Sequence, residues 1–451
     1  MLKVITEYRE ALPLSYIKKL IDKHQTEIAH YDNLKKMYNN ENVIKIRQVP
    51  EGNSNNKLSH GFAEYIVNTS VGYFMGKRPT YTIPESYSEQ VLDVLNYNDE
   101  QAVNNSLAES CSVYGCAAEL IYLDEYGDIR FTNVDIREII YLVNPDIEQD
   151  IHTVIRHWSY YDELEDREVT YVEIWDKYKQ VTGSFSGTSY DVDPEVKMHN
   201  FNIVPFVPYY NNDRCRGDFE GVVDLINAYD KAQSDTANDF EDFTNCYIEV
   251  VGAELDPEVA RELKKLKVFN FPEAGGGVRF VTKDINDSAT ENYKNRLVND
   301  IHKFSGVPDM TDDSFAGLAS GVALKYKLLG LEYACSVKEA KFKKGLLRRL
   351  ELIIDILKLR AKEEINVVKD IQINFVRNTV DNNAEIIDQA MKLKGLISDE
   401  AILEMLGNLV DVEVEKERLE ANREMYLDQF AVHSEDEPEE EEEEDVRKEE
   451  M

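Results

Sequence analysis

The chain has 451 residues, with 51 Lys and Arg against 87 Asp and Glu, a formal charge of −36 and 43% hydrophobic residues. That apolar content excludes wholesale disorder, and the length allows roughly two to four domains of about 100 to 200 residues. The acid excess excludes a protein that coats nucleic acid broadly or clings to an anionic membrane, because both need clustered Lys and Arg.

The excess is uneven. Ser434 to Met451 holds twelve acids and two bases, Arg447 and Lys448, so the other 433 residues carry −26. A block that repels itself and has nothing to bury reads as a disordered tail over 431–451. At the other end, Lys3, Glu7, Arg9 and Glu10 deny the N-terminus the apolar core of a signal peptide. No window approaches the roughly 18 apolar residues of a membrane span. Cys111, Cys116, Cys215, Cys246 and Cys335 are an odd, scattered set that reads as reduced thiols in a cytoplasm.

Along the chain, Ile17, Leu20, Ile21, Ile28, Tyr31 and Leu34 recur at helical spacing, and the polar break from Pro50 to Asn56 reads as a mobile loop. A second helix is expected from Leu58 to Phe74, with Phe62, Ile66, Thr69 and Tyr73 on its apolar stripe, stopped by Gly76 and Pro79. A third covers Asp99 to Tyr114. Glu119–Leu123 and Ile129–Val134 then flank Asp124-Glu-Tyr-Gly-Asp128, a hairpin signal. With further runs at 139–143, 153–160 and 170–178, they predict one antiparallel sheet of about five or six strands.

The second half reads as long helices. One runs from Phe219 to Phe243, its apolar face formed by Val222, Leu225, Ile226, Tyr229, Ala232, Thr236 and Phe240. A compact αβ insert follows: strands at 247–251, 268–271 and 278–281, and a short helix opened by Asp256-Pro257-Glu258. Ser288-Ala-Thr-Glu291 is a capping box for a helix through Tyr293, Leu297, Ile301 and Phe304. After a polar stretch from Asp309 to Gly321, Leu324 to Leu357 keeps helical spacing over some 34 residues, roughly 50 Å of rod. A rod of that length seldom buries itself in one subunit, which predicts lateral packing between copies. A short strand at 370–376 and two or three C-terminal helices complete the chain.

Motifs for chemistry are sparse. Gly76-Lys77-Arg78 lacks the frame of a P-loop, Gly275 to Gly277 lacks a Rossmann strand, and there is no G-x-S-x-G elbow. The histidines form no metal motif, and His152 and His157 are expected on a strand pair. Glu339-Ala-Lys341 imitates a fragment of a nuclease motif without partner acids. Asp312 and Asp313 could hold Mg²⁺, though solvated loop acids explain them as well. No cofactor and no catalytic residue is assigned, and the chain reads as a non-enzyme.

The order of segments resembles the siphovirus-type portal family of tailed bacteriophages, the head–tail connectors. The residues that carry it include Asn56-Lys57-Leu58, Gly72-Tyr73-Phe74-Met75-Gly76-Lys77-Arg78-Pro79 and Tyr114-Gly115-Cys116-Ala117. Others are Val204-Pro205-Phe206, Asn211-Asn212, Gly217-Asp218-Phe219-Glu220, Ser234-Asp235, Gly306-Val307-Pro308-Asp309 and Ser320-Gly321-Val322-Ala323-Leu324-Lys325.

The resemblance implies an α+β, helix-rich fold in parts: a wing (1–218), a stem helix (219–245), a small αβ clip (246–285) and a second stem helix (286–306). A tunnel loop (307–320), a long wing helix and strand (321–381) and a helical crown (382–430) would follow, then the acidic tail. It implies a homo-oligomeric ring, usually a dodecamer, at one capsid vertex of the virion, assembled in the host cytoplasm. Double-stranded DNA would be packaged and ejected through the ring. Terminase large subunit, head-completion or adaptor proteins, and major capsid and scaffold proteins would be its partners, with no membrane. In the tunnel loop, Asp309, Asp312 and Asp313 would repel phosphate while Thr311, Ser314 and Phe315 make exchangeable contacts. In the clip, Arg261, Lys264, Lys265 and Lys267 form a basic cluster for docking terminase or adaptor, or for neutralising a neighbour's acids. Two alternatives stand beside this reading: a non-channel structural virion protein such as a scaffold or adaptor, and a metal-dependent nuclease using the loop acids.

Overall fold

The computed structural model describes residues 1–251 except 52, 187–188, 193–195 and 245–246, then 256, 258, 277–281, 287–311, 321–361, 368–378, 383–406, 412, 415–416 and 418–419. The chain divides into two compact units, Met1–Leu318 with Val322–Asn378, and Ala319–Gly321 with Thr379–Met451.

Strand β1 (Leu2–Ile5) precedes α1 (Leu14–Tyr38) and a single 3-10 turn at Val43–Ile46. Then come α2 (Phe62–Met75), β2 (Thr80–Thr82), α3 (Glu85–Tyr97) and α4 (Glu100–Tyr114). The strands β3 (Cys116–Leu123), β4 (Ile129–Val134), β5 (Ile139–Val143), β6 (Ile151–Asp162), β7 (Arg167–Trp175), β8 (Lys179–Ser186), β9 (Ser189–Val192), β10 (Lys197–Met198) and β11 (Phe206–Tyr210) follow. Next are α5 (Val223–Thr244), β12 (Tyr247–Val251), β13 (Gly277–Val281), α6 (Asp287–Ser305), α7 (Gly321–Lys327), α8 (Leu329–Ala361) and β14 (Gln372–Asn374). The second unit holds α9 (Asn383–Leu393) and α10 (Asp399–Met405). The chain is thus mixed helix and sheet, as expected.

The expected single sheet is instead two. β3 and β4 form their hairpin, but they pair with β11 in a three-stranded antiparallel sheet. A seven-stranded sheet runs β1-β5-β6-β7-β8-β10, with β9 beside β8 and β1 parallel to β5, while β2 pairs separately with β14. Burial explains why β1 docks there. Ile139, Tyr141 and Val143 of β5 face the main core, while Ile140 and Leu142 face a smaller cluster with Leu2, Ile17 and Leu20. A strand buried on both faces needs a partner along each edge, because unpaired backbone groups are costly away from water.

Three other expectations change. His152 and His157 lie on one strand, β6, not on a pair. The stripe of α2 that buries is Ala63, Ile66, Val67, Ser70 and Phe74, so the expected Phe62, Thr69 and Tyr73 stand at its edge. The rod is interrupted at Leu328, between α7 and α8, although Leu328 N–H still reaches Leu324 O at 3.0 Å. Within one copy α8 buries one face and leaves Tyr333, Val337 and Leu359 exposed. Phe342, Leu346, Leu350 and Ile353 are fully buried among α2, α3 and β11, making α8 the spine of the core. Gly345 allows this close packing, since a Cβ there would come within 2.3 Å of the Tyr209 ring. Of the expected αβ insert, β12 and β13 form an antiparallel pair, and Glu258 N–H donates to Asp256 Oδ1 at 2.9 Å as an N-cap would. The expected strand at 268–271 and the acidic tail lie outside the described residues.

One buried pair carries a pH dependence. His24 on α1 and His157 on β6 face each other, Nδ1 to Nε2, at 2.9 Å, and both are buried. Burial lowers His24 to about 3, helped by His157, and lowers His157 to about 4. Both sit below the unfolded value near 6.5, so the unfolded chain binds more protons as pH falls. Stability from this pair is present above about pH 6.5 and lost progressively towards pH 4. The fall in melting temperature between pH 7 and pH 5 should therefore be shallower in His157→Gln than in the parent chain.

Candidate functional site

The face of α5 that the sequence marks as apolar is not the one that buries. Besides Val222 and Ile226, the buried stripe is Asp230, Ser234 and Asn238, while Phe240 is 57% exposed. The polar stripe has a partner in the segment 56–60. His60 N–H donates to Asp230 Oδ1 at 3.0 Å, Leu58 N–H to Ser234 Oγ at 3.0 Å, and Asn56 N–H to Asn238 Oδ1 at 2.7 Å. Two residues of extended chain advance about 6.7 Å and four residues of helix about 6.0 Å, so alternate amides meet successive helical turns. The end of the expected mobile loop is a strap, running antiparallel to α5. Arg47 strengthens it by pairing with Asp235 at 2.6 Å.

α6 packs on α5 through Leu297 and Ile301, with Lys294 Nζ 3.4 Å from Gln233 Oε1. It begins at Asp287, one residue before the expected cap, and stops at Gly306, whose φ of +74° suits glycine. The chain that leaves it is fixed at its root. Val307 is buried and its carbonyl lies 2.9 Å from His302 Nδ1. Tyr65 of α2 donates its hydroxyl to Pro308 O at 3.0 Å and accepts from Met310 N–H at 2.8 Å. Asp309 Oδ1 accepts from Thr311 N–H at 2.9 Å and from Thr311 Oγ1 at 2.6 Å, so both residues are partly engaged in holding the turn. A cleft of about 380 Å³ beside them is lined by His60, Phe62, Tyr65, Tyr229 and His302. Asp312, Asp313, Ser314 and Phe315, like Arg261, Lys264, Lys265 and Lys267, lie outside the described residues. Tyr65→Phe removes both bonds of the clamp at an expected cost of about 1–3 kcal/mol. Hydrogen exchange should show Met310 deprotected first, with the α8 core unchanged.

The segments around Gly115, Asn211 and Gly217 meet in the interior. Gly115 (φ +80°) and Gly217 make room for backbone, since a Cβ would come within 2.1 Å of Cys215 O or 2.4 Å of Val113 O respectively. Asp218 accepts from Lys338 Nζ at 2.8 Å and from Asn211 Nδ2 at 2.7 Å, and Lys338 also reaches Ser112 Oγ at 2.8 Å. Nearby, Arg349 donates to Glu119 at 3.0 Å and to Asn104 at 2.8 Å, while Arg78 holds Glu100 at 2.8 Å. These are joints between distant parts of the chain, not a reaction centre. The nuclease-like fragment is likewise engaged: Glu339 pairs with Arg377 at 2.8 Å and Lys341 with Asp213. Among the described residues, no three His, Cys, Asp or Glu side chains converge as metal ligands would.

Residues 17–429 match the model of the family described as "Phage portal protein, SPP1 Gp6-like". The chain belongs to the phage portal family. It is 30% identical over 417 residues to the portal protein of Clostridium phage phiCD119, covering 85% of this chain and 89% of that protein. It is 23% identical over 441 residues to the portal protein of Bacillus phage SPP1, covering 91% and 87%. The family's role is the channel for packaging DNA at the head–tail connection, and the family is structural. In general it forms oligomeric rings with capsid and terminase partners and is a component of the virion capsid. No described helix is long and apolar enough to cross a membrane.

The residues of the strap are visible in the sequence, but their pairing is not. Asn56, Leu58, Ser234 and Asn238 have helical and extended spacings that match, yet polar residues at a buried stripe look like a solvated face until their partner is known.

Proposed function

We propose that this chain assembles in the host cytoplasm as a dodecameric ring at one capsid vertex, and that DNA enters and leaves through its bore. The observation that carries the reading is the family match over nearly the whole chain. In this reading residues 1–218 are the wing, α5 and α6 the paired stem, and 246–285 the clip. Residues 307–320 are the tunnel loop, 321–381 the long wing helix and strand, and 382–430 the crown. Terminase large subunit, then head-completion or adaptor proteins, dock at the clip, while scaffold and major capsid proteins meet the wing. The cluster Arg261, Lys264, Lys265 and Lys267 neutralises acids of the neighbouring subunit. The chain has no catalytic step of its own; the packaging work is the terminase's.

The loop acts by charge. Every phosphate neutralised by Lys or Arg strengthens binding, whereas DNA must pass without being held. Asp309, Asp312 and Asp313 repel phosphate over a screening length of about 8 Å at physiological salt, and Thr311, Ser314 and Phe315 make weak, exchangeable contacts. Asp312→Lys with Asp313→Lys should leave ring assembly intact and stall packaging in a reconstituted reaction. Packaging at the parental rate would sink the role given to these acids.

A further inference from the structure

The two helices of the pair present opposite charge patterns to solvent. On α5 the acids Asp224 and Asp239 form its outer side with Lys231 as the accompanying base, while Asp235 beside them pairs with Arg47 and Glu241 accepts from Asn56. On α6 the buried stripe is Lys294, Leu297 and Ile301. The ridge opposite that stripe carries Ser288, Asn292, Asn295, Arg296, Asn299 and Lys303, all exposed. At 100° per residue these six cluster on one side, and the acids of α6 (Asp287, Glu291 and Asp300) fall on its flanks. A carboxylate-free ridge of amides, a hydroxyl and two cations is a departure from the rule of a chain charged −36.

We propose that this ridge of α6 is the surface along which the phosphate backbone of double-stranded DNA slides, while α5 turns its acids away from the duplex. The proposal rests on the channel reading above and names which stem helix, and which face of it, meets DNA. Side-chain amides and hydroxyls donate to phosphate oxygens without fixing sequence. The magnitudes favour sliding over holding. From Ser288 to Lys303 the helix rises about 22 Å. The same length of duplex carries roughly thirteen phosphates, at one per about 1.7 Å. Two cations face them, and one of these, Arg296, already pairs with Asp300 at 3.0 Å. Contact of this kind releases few counterions and leaves the duplex free to move. The ridge also leads directly into the pinned root at Val307 to Met310, so the same duplex would pass from α6 to the loop.

The test places the photocrosslinking residue p-benzoylphenylalanine at Asn292 or Asn299 of α6, and at Asp224 or Asp239 of α5. Full-length rings in particles stalled with DNA half packaged are then irradiated. DNA adducts from the two α6 positions, with at least tenfold less from the α5 positions, are expected. Adducts from α5 at equal or greater yield, or none from α6 in a ring that holds DNA, would overturn the proposal. An unsubstituted chain that forms no ring sinks the channel reading, and this proposal with it. A second variant, Arg296→Glu with Lys303→Glu, leaves the buried stripe untouched. It should slow packaging at low salt, with the loss shrinking as salt screens the added charge; a salt-independent loss would contradict a phosphate contact.

Discussion

Arg349→Met lowers the unfolding free energy by about 3–5 kcal/mol, the usual cost of removing one partner from a buried ion pair. The reason lies in what stays behind. Glu119 and Glu100 are 0% and 1% exposed, and Arg349 lies 2.7 Å from the first and 3.7 Å from the second. Burial raises the Glu119 carboxyl, and Arg349 and Tyr209 work against that rise. Without Arg349, Glu119 keeps Tyr209, whose hydroxyl donates at 2.8 Å, but loses its charge partner. Arg78 then compensates Glu100 alone, and from a half-exposed position. Arg349 also covers Phe131, with its guanidinium 4.5 Å from the ring centre, so some packing goes too. Adding Glu119→Gln to Arg349→Met should recover part of the loss, because the stranded charge is gone. Denaturant titrations of the four chains decide it: additive losses, or a single-variant loss under 1 kcal/mol, would show that the pair is not coupled as drawn.

Asp230→Val should cost about 3 kcal/mol or more and should act locally, by releasing the strap. Its carboxylate accepts from His60 N–H, from His60 Nδ1–H at 2.8 Å and from Asn42 Nδ2. Valine keeps the volume but strands these donors, at about 1–3 kcal/mol for each that stays buried. Hydrogen exchange at residues 56–60 should rise well before exchange in α8. Because the strap ties α5 to the chain that enters α2, rings from this variant should also package less DNA than the parent. Uniform deprotection of the whole chain would contradict a local strap.

Element types were largely legible from hydrophobic period, because α1, α4, α6 and α8 bury apolar stripes against ordinary neighbours. What escaped depends on partners far away in sequence. α3 is an exception in the other direction: Tyr87, Val91, Val94 and Leu95 keep helical spacing behind Pro84, so its pattern is in the sequence although the reading above assigns it no element. The division into two sheets is not legible locally because β11, some 80 residues beyond the β3–β4 turn, decides it. On α5 the periodic apolar residues misled, since a polar stripe that meets backbone amides buries as well as leucine would. That one face of the rod buries within its own subunit depends on Gly345, where Tyr209 approaches α8, a contact that length and period do not reveal. For the site, residues 306–311 were legible as a helix stop and polar loop, but the Tyr65 clamp was not, because nothing local marks a tyrosine 243 residues upstream of Pro308. The charge total proved a poor guide by itself: what distinguishes α5 from α6 is where each helix places its acids.

Electron microscopy of the purified full-length chain, viewed down the axis of its assemblies, decides whether the chain forms a DNA channel. Closed rings of twelve with a bore wide enough for a DNA duplex are expected. Monomers, filaments or discs without a central hole at the same protein concentration would contradict the channel.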